Sequence, residues 1–268
     1  MPELPEVETI ACDLRAWGLP GRQIERVRLL RPNVVRGSAA AFRRTLKGRR
    51  FSDVDRHGKL LLLGLDGAGH VIVHLKMTGQ LSIAARGEPV ARHTHAVFEL
   101  EGGSELRFRD VRRFGYLALV DDEGLRAALS VLGPDALEIT WPEFRAALGR
   151  RASLKPLLMD QRRLAGVGNI YANEALFAAR LNPGRLGASL SPAEARRLHR
   201  AMGRVLREAI SCRGSSISDF VDARGRVGRF QERHRVYRKE RCPRCQGELA
   251  RQSWGGRSTF WCPACQPI

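Results

Sequence analysis

The sequence predicts an α+β protein of several domains: an N-terminal β-sandwich with flanking helices, a helical middle and a cysteine-rich β-hairpin at the C-terminus. Three observations predict it. Seven short apolar or alternating runs, separated by Gly, Asp and Pro turns, lie between Arg22 and Val120, the texture of strands packed face to face. From about Leu132 the apolar residues recur at helical spacing instead. The tail from residue 231 holds four of the six cysteines. The expected domains are therefore 1–132, 133–230 and 231–268, the first boundary falling near Gly133-Pro134.

An opening helix follows from Pro5, which suits a first turn, and from Glu6 and Glu8, which complement the positive end of the dipole. Val7, Ile10, Ala11 and Leu14 share one face until Gly18 stops the pattern. Strands are expected over 22–30, 50–55, 59–65, 70–75, 95–100, 105–109 and 115–120. Helices are expected over 141–148, 157–163, 170–179 and 192–211.

Charge narrows the partners. Basic residues outnumber acidic ones 46 to 28, a formal net charge of +18, which calls for a polyanion and places nucleic acid first. A codon bias toward Arg explains why Lys47, Lys59, Lys76, Lys155 and Lys239 are the only lysines; it does not explain the excess over acids. A membrane surface is disfavoured, since no long amphipathic helix gathers the charge and no lipidation motif is present. Glu3, Glu6 and Glu8 occupy the place where a secretory signal carries positive charge, and the longest apolar run, 60–63, is far too short to span a bilayer. A soluble, intracellular protein is expected. In a reducing compartment six cysteines argue for a metal or free thiols over disulfides.

Cys242-Pro-Arg-Cys245 and Cys262-Pro-Ala-Cys265 are two C-x-x-C knuckles at zinc-ribbon spacing. Four thiolates on one tetrahedral ion leave no open position, so a single structural zinc is expected. Strands at 249–253 and 258–261 flank Trp254-Gly255-Gly256-Arg257, a tight hairpin turn that puts Arg257 at or beside the tip. On so basic a chain, a tip arginine is as good a phosphate contact as it is a solvated charge. Cys12 and Cys212 have no metal partner in view and read as buried, inert thiols. In the middle domain Leu164-Ala-Gly-Val-Gly168-Asn169 joins two helical stretches. Glycines allow close backbone approach, and the N–H groups of the next helix form an anion site, so a DNA phosphate is favoured over a plain helix connection.

Several segments together carry a family resemblance: Met1-Pro-Glu-Leu-Pro-Glu-Val-Glu-Thr, His74-Leu-Lys-Met-Thr-Gly79, Arg112-Arg-Phe-Gly115, Leu154-Lys-Pro-Leu-Leu-Met-Asp160, Gly166-Val-Gly-Asn-Ile-Tyr-Ala172 and the knuckles. The chain resembles the formamidopyrimidine-DNA glycosylase family along its whole length. That resemblance implies a β-sandwich with the catalytic helix, a helix-two-turn-helix domain and a zinc finger. It implies a monomer that acts on double-stranded DNA containing oxidised bases or abasic sites, in the bacterial cytoplasm or nucleoid. It also implies a bifunctional glycosylase and abasic-site lyase for oxidised purines, with β,δ-elimination. Pro2, freed by removal of Met1, becomes the nucleophile and Glu3 the acid at the opening sugar, while Lys59 assists β-elimination and Arg257 binds phosphate and supports δ-elimination. His74, His93, Arg150 or Arg151, Lys155, Gly168, Asn169 and Tyr237 fall at positions that contact backbone or lesion, and Met77, Arg112 and Phe114 at the wedge that fills the vacated stack. Ser211 to Phe230 resembles the lid over the everted base. Lys76 stands where the family usually has Gly, and Val111 where it usually has Pro. The alternatives are an endonuclease VIII-like enzyme for oxidised pyrimidines and a non-catalytic damage-binding module; intact Pro2, Glu3 and Lys59 argue against the latter.

The first residues can also be weighed chemically. An α-amine of pKa near 8 is roughly a quarter unprotonated at about pH 7.5, an ordinary lysine about a thousandth.

Overall fold

The computed structural model describes residues 1–149, 151–254 and 256–268, which fall into two compact units. The first comprises 1–130 together with 213–228, the second 131–212 together with 229–268.

In the first unit α1 (Leu4–Ala16) buries Leu4, Val7, Ile10, Ala11 and Leu14 and leaves Cys12 and Arg15 exposed. Cys12 is thus an exposed thiol, and Cys212 a half-buried one, where buried thiols were expected. The cause at Cys12 is helical phase, because Ala11 faces the sandwich core and Asp13 faces Arg213 and Arg226, which leaves Cys12 between them on the open side. Nine strands build two sheets. One runs β1 (Ile24–Leu29), β7 (Thr94–Leu100), β8 (Ser104–Asp110), β6 (Gly79–Ala85), all antiparallel. The other runs β2 (Val35–Arg36), β9 (Tyr116–Val120), β5 (His70–His74), β4 (Leu60–Leu65), β3 (Phe51–His57), antiparallel except for β2 beside β9. Phe42, Phe51, Phe98 and Phe108 are fully enclosed with the apolar faces of both sheets and of α1. This is the expected sandwich. Strands β2 and β6 and helices α2 (Ala39–Leu46) and α3 (Asp122–Ser130) were not expected.

The segment 213–228 packs on this unit, where the sequence placed it with the helices as a lid. Phe220 and Ala223 enter the sandwich core, Ala223 O accepts from Ile83 N at 2.9 Å, and Arg213 and Arg226 pair with Asp13 of α1 and with Asp222.

The second unit holds α4 (Trp141–Leu148), α5 (Leu154–Met159), α6 (Asn169–Ala178), α7 (Pro192–Ser211) and the hairpin β10 (Ala250–Trp254) and β11 (Arg257–Trp261). Ser191 and Glu194 close a reciprocal cap at the start of α7. Helix α5 ends at Met159 rather than continuing to 163, and it begins before Pro156, because a proline in the first turn removes an N–H that has no helical partner anyway. The expected third domain shares the core of this unit: Phe177 of α6 packs with Val236, Cys242, Phe260 and Cys262. Among the described residues no helix is long and apolar enough to cross a membrane.

Candidate active site and nucleic-acid interface

In the first unit the chain enters α1 through buried Pro2 and Glu3. Glu3 is the cap residue, extended at φ −105°, and 2% exposed; its N–H donates to Glu6 Oε2 at 2.8 Å. The other Glu6 oxygen accepts from Ser215 N at 2.7 Å, so one carboxylate joins the first residues to the 213–228 segment. Gly214 makes this possible, since a Cβ there would lie 2.7 Å from Glu6 Oε1.

Lys59 sits half-buried in the β3–β4 turn, after Gly58 at φ +57°. Arg56, three residues before Lys59 and 7% exposed, donates to Glu8 Oε2 at 2.7 Å and to Gly58 O at 3.2 Å. The Lys59 turn is thereby tied to α1, the helix that Pro2 and Glu3 lead into. Burial by itself would raise the Glu8 carboxyl; Arg56 outweighs it and holds Glu8 below its ordinary range.

Around His74 the cations converge. Burial first, then Lys76, Lys59 and Arg36, push His74 down to about 3, so its ring is neutral near pH 7 and Nδ1 accepts from Lys76 N at 3.1 Å. Arg36 lies 3.4 Å over the Tyr116 ring, and the His74 ring is 5.5 Å from it. Lys76, whose ammonium is lowered by burial and Arg36, adopts φ +51°. The backbone here thus keeps the left-handed conformation that a glycine would favour.

Met77 is half-buried, Arg112 exposed, and Phe114 is 55% exposed with the Arg112 guanidinium 4.9 Å over its ring. His93 adopts φ +69° and is held below its ordinary value by desolvation and by Arg92, Arg109 and Arg113.

In the second unit a cavity of about 920 Å³ is lined by Asn169, Tyr237, Arg238, Lys239, Arg251 and Arg257 among others, with Glu240 and Glu248 on the same wall. Gly166 takes φ +106° and Gly168 caps α6, which delivers Asn169 to the first helical position. The buried Asn169 Oδ1 has no hydrogen-bond partner among the described residues. Asn173, fully buried, accepts from Phe260 N at 2.9 Å and donates to Asn169 O at 2.6 Å, fixing β11 against α6. Glu174 accepts from the backbone N–H groups of Arg235, Val236 and Tyr237 at 2.9, 3.0 and 2.9 Å. Burial pushes this carboxyl up, and those N–H groups and Arg235 oppose it. Asn173 and Glu174 escaped the sequence reading, as did Arg56; the one available signal was a pair of polar residues inside the apolar α6 pattern.

Lys155 is a correction. It was expected at the DNA backbone, yet it is 1% exposed and its ammonium donates to Ser258 O at 2.8 Å and Thr259 Oγ1 at 2.7 Å. It braces β11 next to Arg257, and burial of a lysine is tolerable because both acceptors meet it. Arg151 is exposed, and Arg150 lies outside the described residues. Arg257 is exposed and opens β11, opposite Trp254 in register, with Gly256 at φ +71°.

The knuckles meet as spacing requires. The Sγ atoms of Cys242, Cys245, Cys262 and Cys265 all lie within 4.8 Å of one another, with Cys242–Cys265 at 3.8 Å and Cys245–Cys262 at 3.5 Å. A tetrahedral zinc with Zn–S of about 2.3 Å sets sulfurs about 3.8 Å apart, so the residues fit the ion. Arg244 N and Cys265 N each donate to a knuckle sulfur at 3.4 Å, stabilising thiolate.

Residues 1–117 match the formamidopyrimidine-DNA glycosylase N-terminal domain, 132–221 the H2TH domain of the same enzymes, and 239–268 a zinc finger found in FPG and IleRS. Formamidopyrimidine-DNA glycosylase of Heliobacterium modesticaldum is 47% identical over 277 residues, covering 99% of this chain and 100% of the relative. The chain belongs to the formamidopyrimidine-DNA glycosylase family. The Pelotomaculum thermopropionicum enzyme of that name is 44% identical over 276 residues, at full coverage of both chains. Among solved structures, a Lactococcus lactis FPG mutant in complex with Fapy-dG containing DNA superposes with a TM-score of 0.92 at 30% identity, covering all of both chains. The Lactococcus lactis Fpg bound to an abasic site containing DNA gives the same score and identity over 99% of this chain. Family membership brings with it one structural zinc in the four-cysteine finger.

Proposed function

We propose that the protein is a base-excision repair enzyme of this family, a glycosylase and abasic-site lyase acting as a monomer on oxidised purines in duplex DNA of the cytoplasm or nucleoid. The observation that carries the reading is the junction at α1. Buried Pro2, a terminal secondary amine once Met1 is removed, is followed directly by the buried Glu3 carboxyl, with Lys59 tied to the same helix through Arg56 and Glu8.

The chemistry follows from those groups. The Pro2 nitrogen bonds to sugar C1′ as the C1′–base bond breaks, and the amine's proton passes to the departing base; the nitrogen lone pair then opens the C1′–O4′ bond, O4′ takes a proton from Glu3, and an iminium joins Pro2 to C1′. Loss of a C2′ proton expels the 3′ phosphate with Lys59 beside the departing charge, and a second elimination expels the 5′ phosphate. Neutral His74 offers its remaining ring N–H to a phosphate within the Arg36, Lys59 and Lys76 cluster. Asn169, Gly168, Tyr237 and Arg257 take a phosphate at the second unit's cavity, with Arg150 or Arg151 as a further backbone contact and His93 as one on the sandwich. Met77, Arg112 and Phe114 fill the space left by the everted base, offsetting an unstacking cost of a few kcal/mol.

Borohydride reduction during reaction with an 8-oxoguanine duplex tests this reading. Hydride converts the iminium to a stable amine, so a protein–DNA adduct mapping to the N-terminal peptide is expected. No adduct overturns the nucleophile, and an adduct with thymine glycol duplex alone would favour the pyrimidine-specific alternative.

Lys76 supplies a second check. Relief of left-handed strain, roughly 1–2 kcal/mol, and the unfolded-state entropy of glycine, roughly 0.5–1 kcal/mol, nearly cancel in Lys76→Gly. Its melting temperature should hold while DNA affinity falls and the slope of log affinity against log salt drops by about one. An unchanged slope in fluorescence anisotropy would remove Lys76 from the phosphate site.

A further inference from the structure

Asp110, at the end of β8, is 1% exposed, and its contacts reach three separate loops. Oδ1 accepts from the Thr78 hydroxyl and from Arg112 N at 3.2 Å. Oδ2 accepts from Gly115 N at 2.7 Å. Thr78 Oγ1 in turn accepts from Arg112 N at 3.0 Å, closing a ring of hydrogen bonds between the β5–β6 and β8–β9 loops. The backbone of the same residue holds the third loop, since Asp110 N donates to His93 O at 3.0 Å and Asp110 O accepts from His95 Nε2 at 2.7 Å.

The loops so joined are those bearing Met77, Arg112 with Phe114, and His93. Arg112 is bonded to Asp110 through its own N–H, and Met77 and Phe114 each stand one residue from a group bonded to Asp110. Gly115 shows how tightly the carboxylate is enclosed. A Cβ there would lie 3.1 Å from Asp110 Oδ2, 3.0 Å from His74 O and 2.8 Å from Phe108 Cζ. The loops can therefore neither shift toward the carboxylate nor separate from it without leaving buried donors unmet, the costly outcome for such groups.

We infer that Asp110 is a positioning residue for base eversion: its carboxylate sets the spacing between Met77 on one loop and Arg112 and Phe114 on the other, so that they enter the duplex as one rigid wedge. This rests on the glycosylase reading above and adds to it the group that makes the wedge rigid. Asp110 touches neither lesion nor sugar. Its loss therefore acts on opening a paired site and spares the chemistry at a site already open.

The test compares two reactions of the full-length protein under single turnover, in wild type, Asp110→Asn, Thr78→Val and Thr78→Ser. One is release of 8-oxoguanine paired with cytosine; the other is nicking of a preformed abasic site in single-stranded DNA, which needs no eversion from a duplex. Asp110→Asn keeps the shape and loses one acceptor, and Thr78→Val removes one donor. Both should slow excision from the duplex at least tenfold and change nicking by less than about threefold, with Thr78→Ser restoring excision. Equal loss in both reactions, or no loss in either, overturns the inference. Should Asp110→Asn lose its cooperative melting transition, Thr78→Val decides by the same criteria. Absence of 8-oxoguanine release by the wild type overturns the glycosylase reading, and this inference with it; equal losses beside an active wild type overturn the wedge role alone.

Discussion

A variant that keeps one residue ahead of Pro2 is expected to bind lesion-containing duplex as the mature protein does, and to lose base release and covalent capture by roughly ten-thousandfold or more. An added residue turns the Pro2 nitrogen into an amide, whose lone pair is delocalised into the carbonyl and no longer attacks. The free amine stands one residue before Glu3, the cap of α1. Glu3 and Glu6 beside it are held by the reciprocal cap and by Ser215, so the acid and the amine keep a fixed relation. Single-turnover excision, borohydride capture and anisotropy on the same duplex separate chemistry from binding. Wild-type adduct yield from the extended variant would shift the nucleophile to another amine, and Lys59, tied to α1 through Arg56 and Glu8, would be the first to examine.

What the sequence showed and what it hid divide along a physical line. Helix α7 and the strand pairs β3–β4 and β4–β5 are written in local periodicity, and the knuckles in local spacing, because each rests on residues a few positions apart. Helix α2 holds its place with only Phe42 and Leu46 buried, and α3 buries none of its residues, so neither leaves an apolar stripe long enough to read. The extent of α5 depended on whether Pro156 breaks a helix or opens one, which the local sequence leaves undecided. At the site, the groups proposed to act stand in family motifs, whereas the groups that hold them do not. Glu174 meets its donors 61 to 63 residues away, and Asp110 meets Thr78 at a separation of 32; before folding, Glu174 is an acid in a largely apolar run and Asp110 one acid among arginines. Lys155 shows the converse. Its sequence context suits a phosphate contact, and only the fold reveals that its ammonium is enclosed beneath β11.

Removal of zinc should abolish DNA binding while leaving the sandwich folded. Structural zinc sites contribute about 10–16 kcal/mol of apparent binding free energy in small fingers, more than a hairpin of two five-residue strands can replace. The consequences travel inward, because Cys242 and Cys262 share a core with Phe177 of α6 and with Val236 and Phe260. Arg257, Tyr237 and the Lys155 brace all depend on that hairpin, so the phosphate-binding cavity goes with it. The first unit has its own core, and its β-sheet signal should survive chelation. Release of about one zinc per chain, loss of duplex affinity by a factor of a hundred or more, and a change in fluorescence from the stacked Trp254–Trp261 pair should occur at the same chelator concentration. The same coincidence is expected for Cys262→Ser without chelator. Full zinc loss with duplex affinity intact would mean that the finger is dispensable for binding, and the cavity beside Asn169 could not then be the phosphate site.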